Sequence, residues 1–383
     1  MTERVKPSTP VVLLLSILAL FVLIPNSLNL YKDSSIWRRK SFMKSVNELA
    51  EMVSFESIHN NQQFIEFTKE LREKTKPPYL IIYDSSNLEV VFNHICNLQF
   101  IPNALDRLAG ISLDQAAYDN LKKSYPSIPS VIIDLELLKK TISKKEKSGY
   151  LTYTLALLTH TRIMASLALR GVDFWSMHQD TIWVKNFVEL NVEDRFPDAH
   201  MIFDRIGNDD LPVYKRVNEW ICAATFFVRA SQLTYQFFRQ TESFMLTRQS
   251  PESTILTYLC GHAKYKCERM PRWMVSSINY FKKPKEIPPF LIQIDATKKN
   301  GTTKMDLLRE NDFIFRFRNG SCDGSTFSHL KESVQLAFPG ERVVVEENRQ
   351  ENLYQRLSYK LKIIFNVDPY NTKYFLNIHN HLM

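Results

Sequence analysis

Glycine is scarce in this chain, at 9 of 383 residues. Loops that cradle phosphates with successive backbone N–H groups are built on glycine. The sequence contains no GxGxxG, no P-loop and no GxSxG. Dinucleotide fingerprints, P-loop chemistry and the serine-hydrolase elbow are thereby excluded. Cysteine is also sparse, with five residues and no CxxC spacing, which argues against a structural zinc. Cys96 stands near His94 without the context of a nucleophile, and His379 with His381 makes only a weak metal pair at the C-terminus. No repeat and no low-complexity segment occurs. Arginine-rich runs are absent as well. The net charge of +8 is dispersed over short groups such as Arg38-Arg39-Lys40 and Lys282-Lys283. That pattern describes a solvated surface and no nucleic-acid partner.

Hydrophobic content of 44% and aromatic content of 12% suffice for a substantial buried core. The N-terminus points to a compartment. Residues 1–9 read as a polar cytoplasmic tail, and Val11 to Ile24 is apolar apart from Ser16. The run is short for a spanning helix, yet no clean cleavage site follows it. The expectation is a signal-anchor over residues 10–30 and a type II, single-pass protein of the Golgi or ER membrane with its C-terminal part lumenal. The alternative is a cleaved signal and secretion. Sequons at Asn300 and Asn319 fit a lumenal placement. Cys260 and Cys267, seven apart, can close a small disulfide loop.

Residues 31–75 are charged and helical in pattern without a strong apolar face, and read as a stem. Lys76-Pro77-Pro78 marks a boundary. Beyond it, strand and helix patterns alternate. Tyr79–Tyr83, 105–113, 131–133 and Val172–Met177 read as strands, with helices between them, the last over 150–170. Alternation of this kind predicts an α/β fold, a mainly parallel sheet flanked by helices. Later strands are expected at 201–203, 221–228, 280–281 and 290–294. Further helices are expected at 231–242, 251–260, 303–310 and 351–365.

Residues 162–187 are the focus. An amphipathic helix ends at Gly171, an aromatic-rich buried strand follows, and His178, Gln179 and Asp180 stand at its C-terminal end. In open α/β sheets ligands bind at that end of the strands. Asp84, Asp114 and Asp295 also end strands and can border a ligand there, although turn capping is the commoner role for such residues. Arg162, on the preceding helix, can reach a phosphate bidentately, or else pair a core carboxylate. Lys304 follows Asp295 and is a second phosphate candidate.

The order of motifs resembles the nematode-type nucleotide-diphospho-sugar transferase domain family, a GT-A-like group related to plant arabinosyl and xylosyl transferases. The pieces are NHICNLQF, LAGISLDQAAYDNLKKSYP, HTRIMASL, GVDFWSMHQDTIW, NEWICAATFFVRAS, PESTILTYLC and LIQIDATKKNGTTK. The likeness spans roughly residues 77–320. It implies a Rossmann-type GT-A-like domain over 76–320 and a C-terminal extension over 321–383 packing on it. It further implies transfer of a sugar from a nucleotide-diphosphate donor to a glycan or glycoprotein acceptor. Asp180 is then the catalytic-site carboxylate and, with His178, the ligand of Mn2+ or Mg2+, since oxygen ligands suit these ions. Three features depart from the family pattern. His178 stands at the first position of the Asp-x-Asp motif, Glu252-Ser253 replaces an Asp-Gln pair, and Cys222-Ala223-Ala224 replaces a glycine-rich lead. An alternative is therefore a catalytically impaired member that binds a nucleotide sugar or glycan, and a third reading is a structural protein.

Overall fold

The computed structural model describes residues 35–145, 149–205, 221–276, 289–294 and 303–337. The expected anchor over 10–30, the strand at 280–281, Asp295, Asn300 and the helix at 351–365 lie outside these residues. Among the described residues no helix is long and apolar enough to cross a membrane.

Seven strands form the central sheet: β1 (Tyr79–Tyr83), β2 (Leu108–Ser112), β3 (Ser130–Ile132), β4 (Phe174–Met177), β6 (Met201–Arg205), β7 (Ile221–Val228) and β8 (Cys267–Arg269). Their order is β3-β2-β1-β4-β7-β6-β8. Pairing is parallel from β3 through β4, and β7 runs antiparallel to both β4 and β6. A second sheet joins β5 (Thr181–Trp183), β10 (Leu291–Gln293) and β9 (Val275–Ser276). The mainly parallel α/β sheet expected from the alternation is present.

Side chains alternate across a strand, so β1 feeds two cores. Leu80 joins one apolar cluster, and Tyr79, Ile81 and Tyr83 join the other. In β4, Phe174 faces the first and Trp175 the second. Helix Tyr150–Leu169 covers the first face and helix Leu88–Gln99 the second. Each fully buried side chain of the Phe or Leu kind contributes about 1.5–3 kcal/mol. Gly171 ends helix Tyr150–Leu169 at φ +73°. The Val172 N–H reaches Leu167 O and the Gly171 N–H reaches Ala168 O, the paired bonds of a Schellman turn. That turn sets the direction in which β4 enters the sheet.

The stretch read as a stem is packed onto the domain from its helices onward. Helices Ser35–Ala50, Phe55–His59 and Gln62–Arg72, with the 3-10 turn Glu51–Val53 between the first two, bury Val46, Leu49, Val53, Phe55, Ile58, Phe64, Phe67 and Leu71 in the first core. Asn61 accepts the Phe64 N–H and Ser54 the Ser57 N–H, so each helix restarts with its own cap.

The C-terminal part of the described chain returns to the second face. Asn93 donates to Phe313 O and accepts the Phe315 N–H. A disulfide joins Cys96 to Cys322, and Phe327 and Leu330 are buried in the same core. The expected loop closure by Cys260 and Cys267 is also present as a disulfide.

Candidate active site

The C-terminal edge of β4 carries a tight turn. The Thr181 N–H bonds to His178 O, and the His178 N–H bonds across to Ala224 O beyond the pairing with β7. This turn points Asp180 inward, where its side chain is only 2% exposed. A carboxylate withdrawn that far from water needs a partner. Lys304 supplies it: Nζ lies 2.6 Å from Asp180 Oδ2. Lys304 is the first residue of helix Lys304–Glu310, whose start is fixed by a capping box between Thr303 and Asp306. The Asn93 bonds and the Cys96–Cys322 bridge secure the segment that follows this helix. Two residues distant in sequence, both candidates from the sequence, are thereby brought together.

His178 stands beside the pair, with Nδ1 3.6 Å from Asp180 Oδ1 and its side chain 45% exposed. That separation is too long for a hydrogen bond, and Oδ1 has no hydrogen-bond partner. Burial pushes the Asp180 carboxyl upward in pKa, but the Lys304 ammonium and His178 outweigh it and hold it below the ordinary value. Packing of the turn around its ring, then Lys304 and His160, push the His178 pKa down against the pull of Asp180, even with the side chain 45% exposed.

Other polar groups near this turn lack partners too. Gln293, at the end of β10 and in register with Thr181, is 0% exposed, and neither its amide nitrogen nor its oxygen is hydrogen-bonded. Thr181 Oγ1 is likewise unpartnered. His94 is fully buried and uses Nδ1 on Thr181 O, leaving Nε2 without a partner. On the opposite face, a chain runs from Glu252 through His160 to Ser176 of β4. His160 Nδ1 lies 3.1 Å from Glu252 Oε1, Nε2 lies 3.1 Å from Ser176 Oγ, and Thr161 also donates to Glu252. Glu252 opens helix Glu252–Cys260, where its charge suits the helix dipole.

The remaining sequence candidates have other partners. Arg162 does not face Asp180. It is 3% exposed, ion-paired to Glu242 at 2.7 Å, and donates to the carbonyls of Ala50 and Val53. The guanidinium therefore fastens the N-terminal helices to the domain, the core-carboxylate role and not the phosphate role. Asp84 and Asp114 sit at the ends of β1 and β2, on the same edge of the sheet as Asp180. Asp84 accepts from Ser86 and Asp114 caps the Ala117 N–H, while Lys139 bridges the two at 2.7 and 3.4 Å. Asn319 is exposed at a turn, its side chain accepting from Ser321. His160, Ser176, Thr181 and Gln293 were not singled out from sequence, and His94 was weighed only as a neighbour of Cys96. The available signal for Gln293 was a lone polar residue inside the apolar run FLIQI.

A resident Mn2+ or Mg2+ would need several oxygen-rich ligands. Asp180 offers one carboxylate, and its Oδ2 already carries an ammonium. His178 offers an imidazole and Gln293 an amide, neither an anionic oxygen. Among the described residues no group of three or more His, Cys, Asp or Glu is arranged to hold a metal. A dication about 4 Å from an ammonium would be repelled by about 8 kcal/mol at an effective dielectric constant of about 20. As placed, these residues do not fit the divalent ion expected at Asp180 and His178.

The nucleotide-diphospho-sugar transferase family model matches residues 103–308, a span that holds both Asp180 and Lys304. Solved structures resemble the chain at low identity. The glycosyltransferase GlyE of Streptococcus pneumoniae is 12% identical with a TM-score of 0.39, over 67% of this chain and 63% of that one. The galactosyltransferase LgtC, solved with donor and acceptor sugar analogues, is 9% identical with a TM-score of 0.42, over 67% and 95%. The mannosyltransferase PcManGT of Pyrobaculum calidifontis, solved with GDP-Man and Mn2+, is 10% identical with a TM-score of 0.35, over 88% and 96%. These likenesses are too distant to carry an activity or a ligand across. No curated protein matches the chain.

Proposed function

Because the chain belongs to the nucleotide-diphospho-sugar transferase family, we propose that it moves a sugar from a nucleotide-diphosphate donor to a glycan or glycoprotein acceptor at the site around Asp180. One observation carries this reading. Within the family-matched span, a buried carboxylate at the C-terminal end of β4 is paired with an ammonium and keeps one oxygen without a partner. Sugar transfer leaves a nucleotide diphosphate whose negative charge grows as the glycosidic bond breaks. A fixed cation aimed at that charge lowers the barrier. Lys304 meets the diphosphate, and Asp180 holds Lys304 and orients the donor. The strand-end position is the one at which α/β sheets take ligands.

The reaction runs in the lumen of the secretory pathway, on a chain anchored by residues 10–30. Two disulfides, Cys96–Cys322 and Cys260–Cys267, support an oxidising compartment. The sequons at Asn300 and Asn319 agree with it. The narrower kinship, to nematode and plant enzymes, rests on the sequence motifs.

A second reading is favoured by the single carboxylate in the turn His178-Gln179-Asp180: a family member that binds the nucleotide sugar or glycan without turning it over. Full-length protein incubated with a panel of nucleotide sugars separates the two. Release of nucleoside diphosphate from at least one donor, lost in Asp180→Asn, is expected. Binding without release would move the protein to the second reading, and neither binding nor release would overturn both.

A further inference from the structure

We propose that the Lys304 ammonium stands where a divalent cation would stand beside Asp180, so that the donor diphosphate is bound without a metal. The inference rests on the nucleotide-sugar reading of this site. Its own basis is the composition of the site. Asp180, 2% exposed, already has its charge met at 2.6 Å by an ammonium that is itself 31% exposed. The helix that carries that ammonium is fixed in place. The Thr303–Asp306 capping box sets its start, and Leu308 of the same helix is buried in the second core.

The neighbouring groups point the same way. His178 brings an imidazole nitrogen within 3.6 Å of Asp180, and Gln293 presents a buried, unpartnered amide in register with Thr181. Unpartnered neutral donors and acceptors suit hydroxyl and phosphate oxygens. A dication asks instead for anionic oxygens, and among the described residues no group of three or more His, Cys, Asp or Glu gathers to supply them. An ammonium offers a compact point charge with three donors, a phosphate binder in its own right. Asp180 has in this arrangement a positioning role. It aims Lys304 and offsets the cost of withdrawing that charge from water.

The test uses full-length protein, uridine diphosphate and guanosine diphosphate as probes, and Mn2+. Nucleotide affinity is measured by calorimetry in EDTA and in excess Mn2+, and bound Mn2+ by the loss of its free-ion paramagnetic resonance signal. The expected affinities in the two buffers agree within about twofold, and Lys304→Gln weakens binding about 10- to 100-fold without rescue by Mn2+. Lys304→Arg, which keeps the charge, restores most of the loss. Mn2+ held with or without nucleotide, and released in Asp180→Asn, would overturn the proposal. So would nucleotide binding that appears only with Mn2+, although the donor-site reading would then survive. No binding of either nucleotide in either buffer would sink the donor-site reading and this inference with it.

Discussion

Lys304 reaches Asp180 from the far end of the domain, and the pair closes at 2.6 Å over the C-terminal edge of β4. The carboxylate is buried and the ammonium faces outward, so the pair presents positive charge to whatever occupies that edge. Asp180 is the half whose loss is cleanest to test. Asp180→Asn keeps the shape but removes the charge that aims Lys304. A sugar-transfer or donor-hydrolysis assay is expected to show a fall of about 10²–10³ in kcat, the usual size for a misplaced electrostatic group. The melting temperature is expected to change little, because Lys304 can turn to water. Activity within about threefold of wild type would remove Asp180 from the site.

Arg162 provides the opposite case, a residue whose loss should unfold and not inactivate. Its guanidinium joins Glu242 to the carbonyls of Ala50 and Val53 inside the first core. Arg162→Met leaves the Glu242 carboxylate buried with one fewer partner, although Arg239 at 2.6 Å still engages it. Breaking a buried pair of this sort costs about 3–5 kcal/mol. Urea denaturation should show that loss, with nucleotide affinity unchanged in the fraction that remains folded. A stable variant with weakened nucleotide binding would return Arg162 to the phosphate role.

These two residues also mark what the sequence could and could not tell. Local patterns carried the alternation of strands and helices, the glycine stop at Gly171 and the placement of Asp180 at a strand end. Each depends on neighbours a few residues away. The partner of Arg162 is set by how helix Tyr150–Leu169 packs on helix Gln232–Thr247, and no local pattern encodes that. Lys304 and Asp180 were separate candidates because their meeting depends on the return of the chain to the second face. The Cys96–Cys322 bridge was hidden for the same reason. Residues 31–75 read as a stem packing partly on the domain, and the full extent of that packing was not legible because the apolar positions are split over three helices, each with a new phase. No single face shows across the stretch.

His94 supplies a pH dependence. It is fully buried, and burial pushes it down to about 4 from 6.5, against the pull of Thr181 O and Asp180. The folded state thus takes up the proton later than the unfolded state. Stability from this group is complete above pH 6.5 and is lost as pH falls toward 4. Over that window the slope approaches about 1.4 kcal/mol per pH unit. Unfolding free energies measured between pH 7 and 4 should show this slope in wild type and a shallower one in His94→Gln. Equal slopes would mean that His94 does not titrate in this way.

The last test concerns the rim of the site, where Ala223 sits at φ +66° at the start of β7. Side chains rarely adopt that conformation, and a non-glycine residue there costs about 1–2 kcal/mol. The register shift between Phe203 and Arg205 shows where the irregularity falls. Asp204 holds the strained backbone, accepting the N–H groups of Ala223, Ala224 and Thr225 at 3.0, 3.3 and 2.9 Å. The neighbouring carbonyl of Ala224 then receives the His178 N–H. The strain is therefore coupled to the turn that carries Asp180. Ala223→Gly relieves it without disturbing Asp204, and should stabilise the protein by about 1 kcal/mol in thermal melts, part of the relief being offset by the greater freedom of glycine in the unfolded chain. Asp204→Ala should do the reverse and, by loosening Ala224, lower nucleotide affinity as well. Stability lost without any change in affinity would mean that the β7 irregularity and the Asp180 turn are independent.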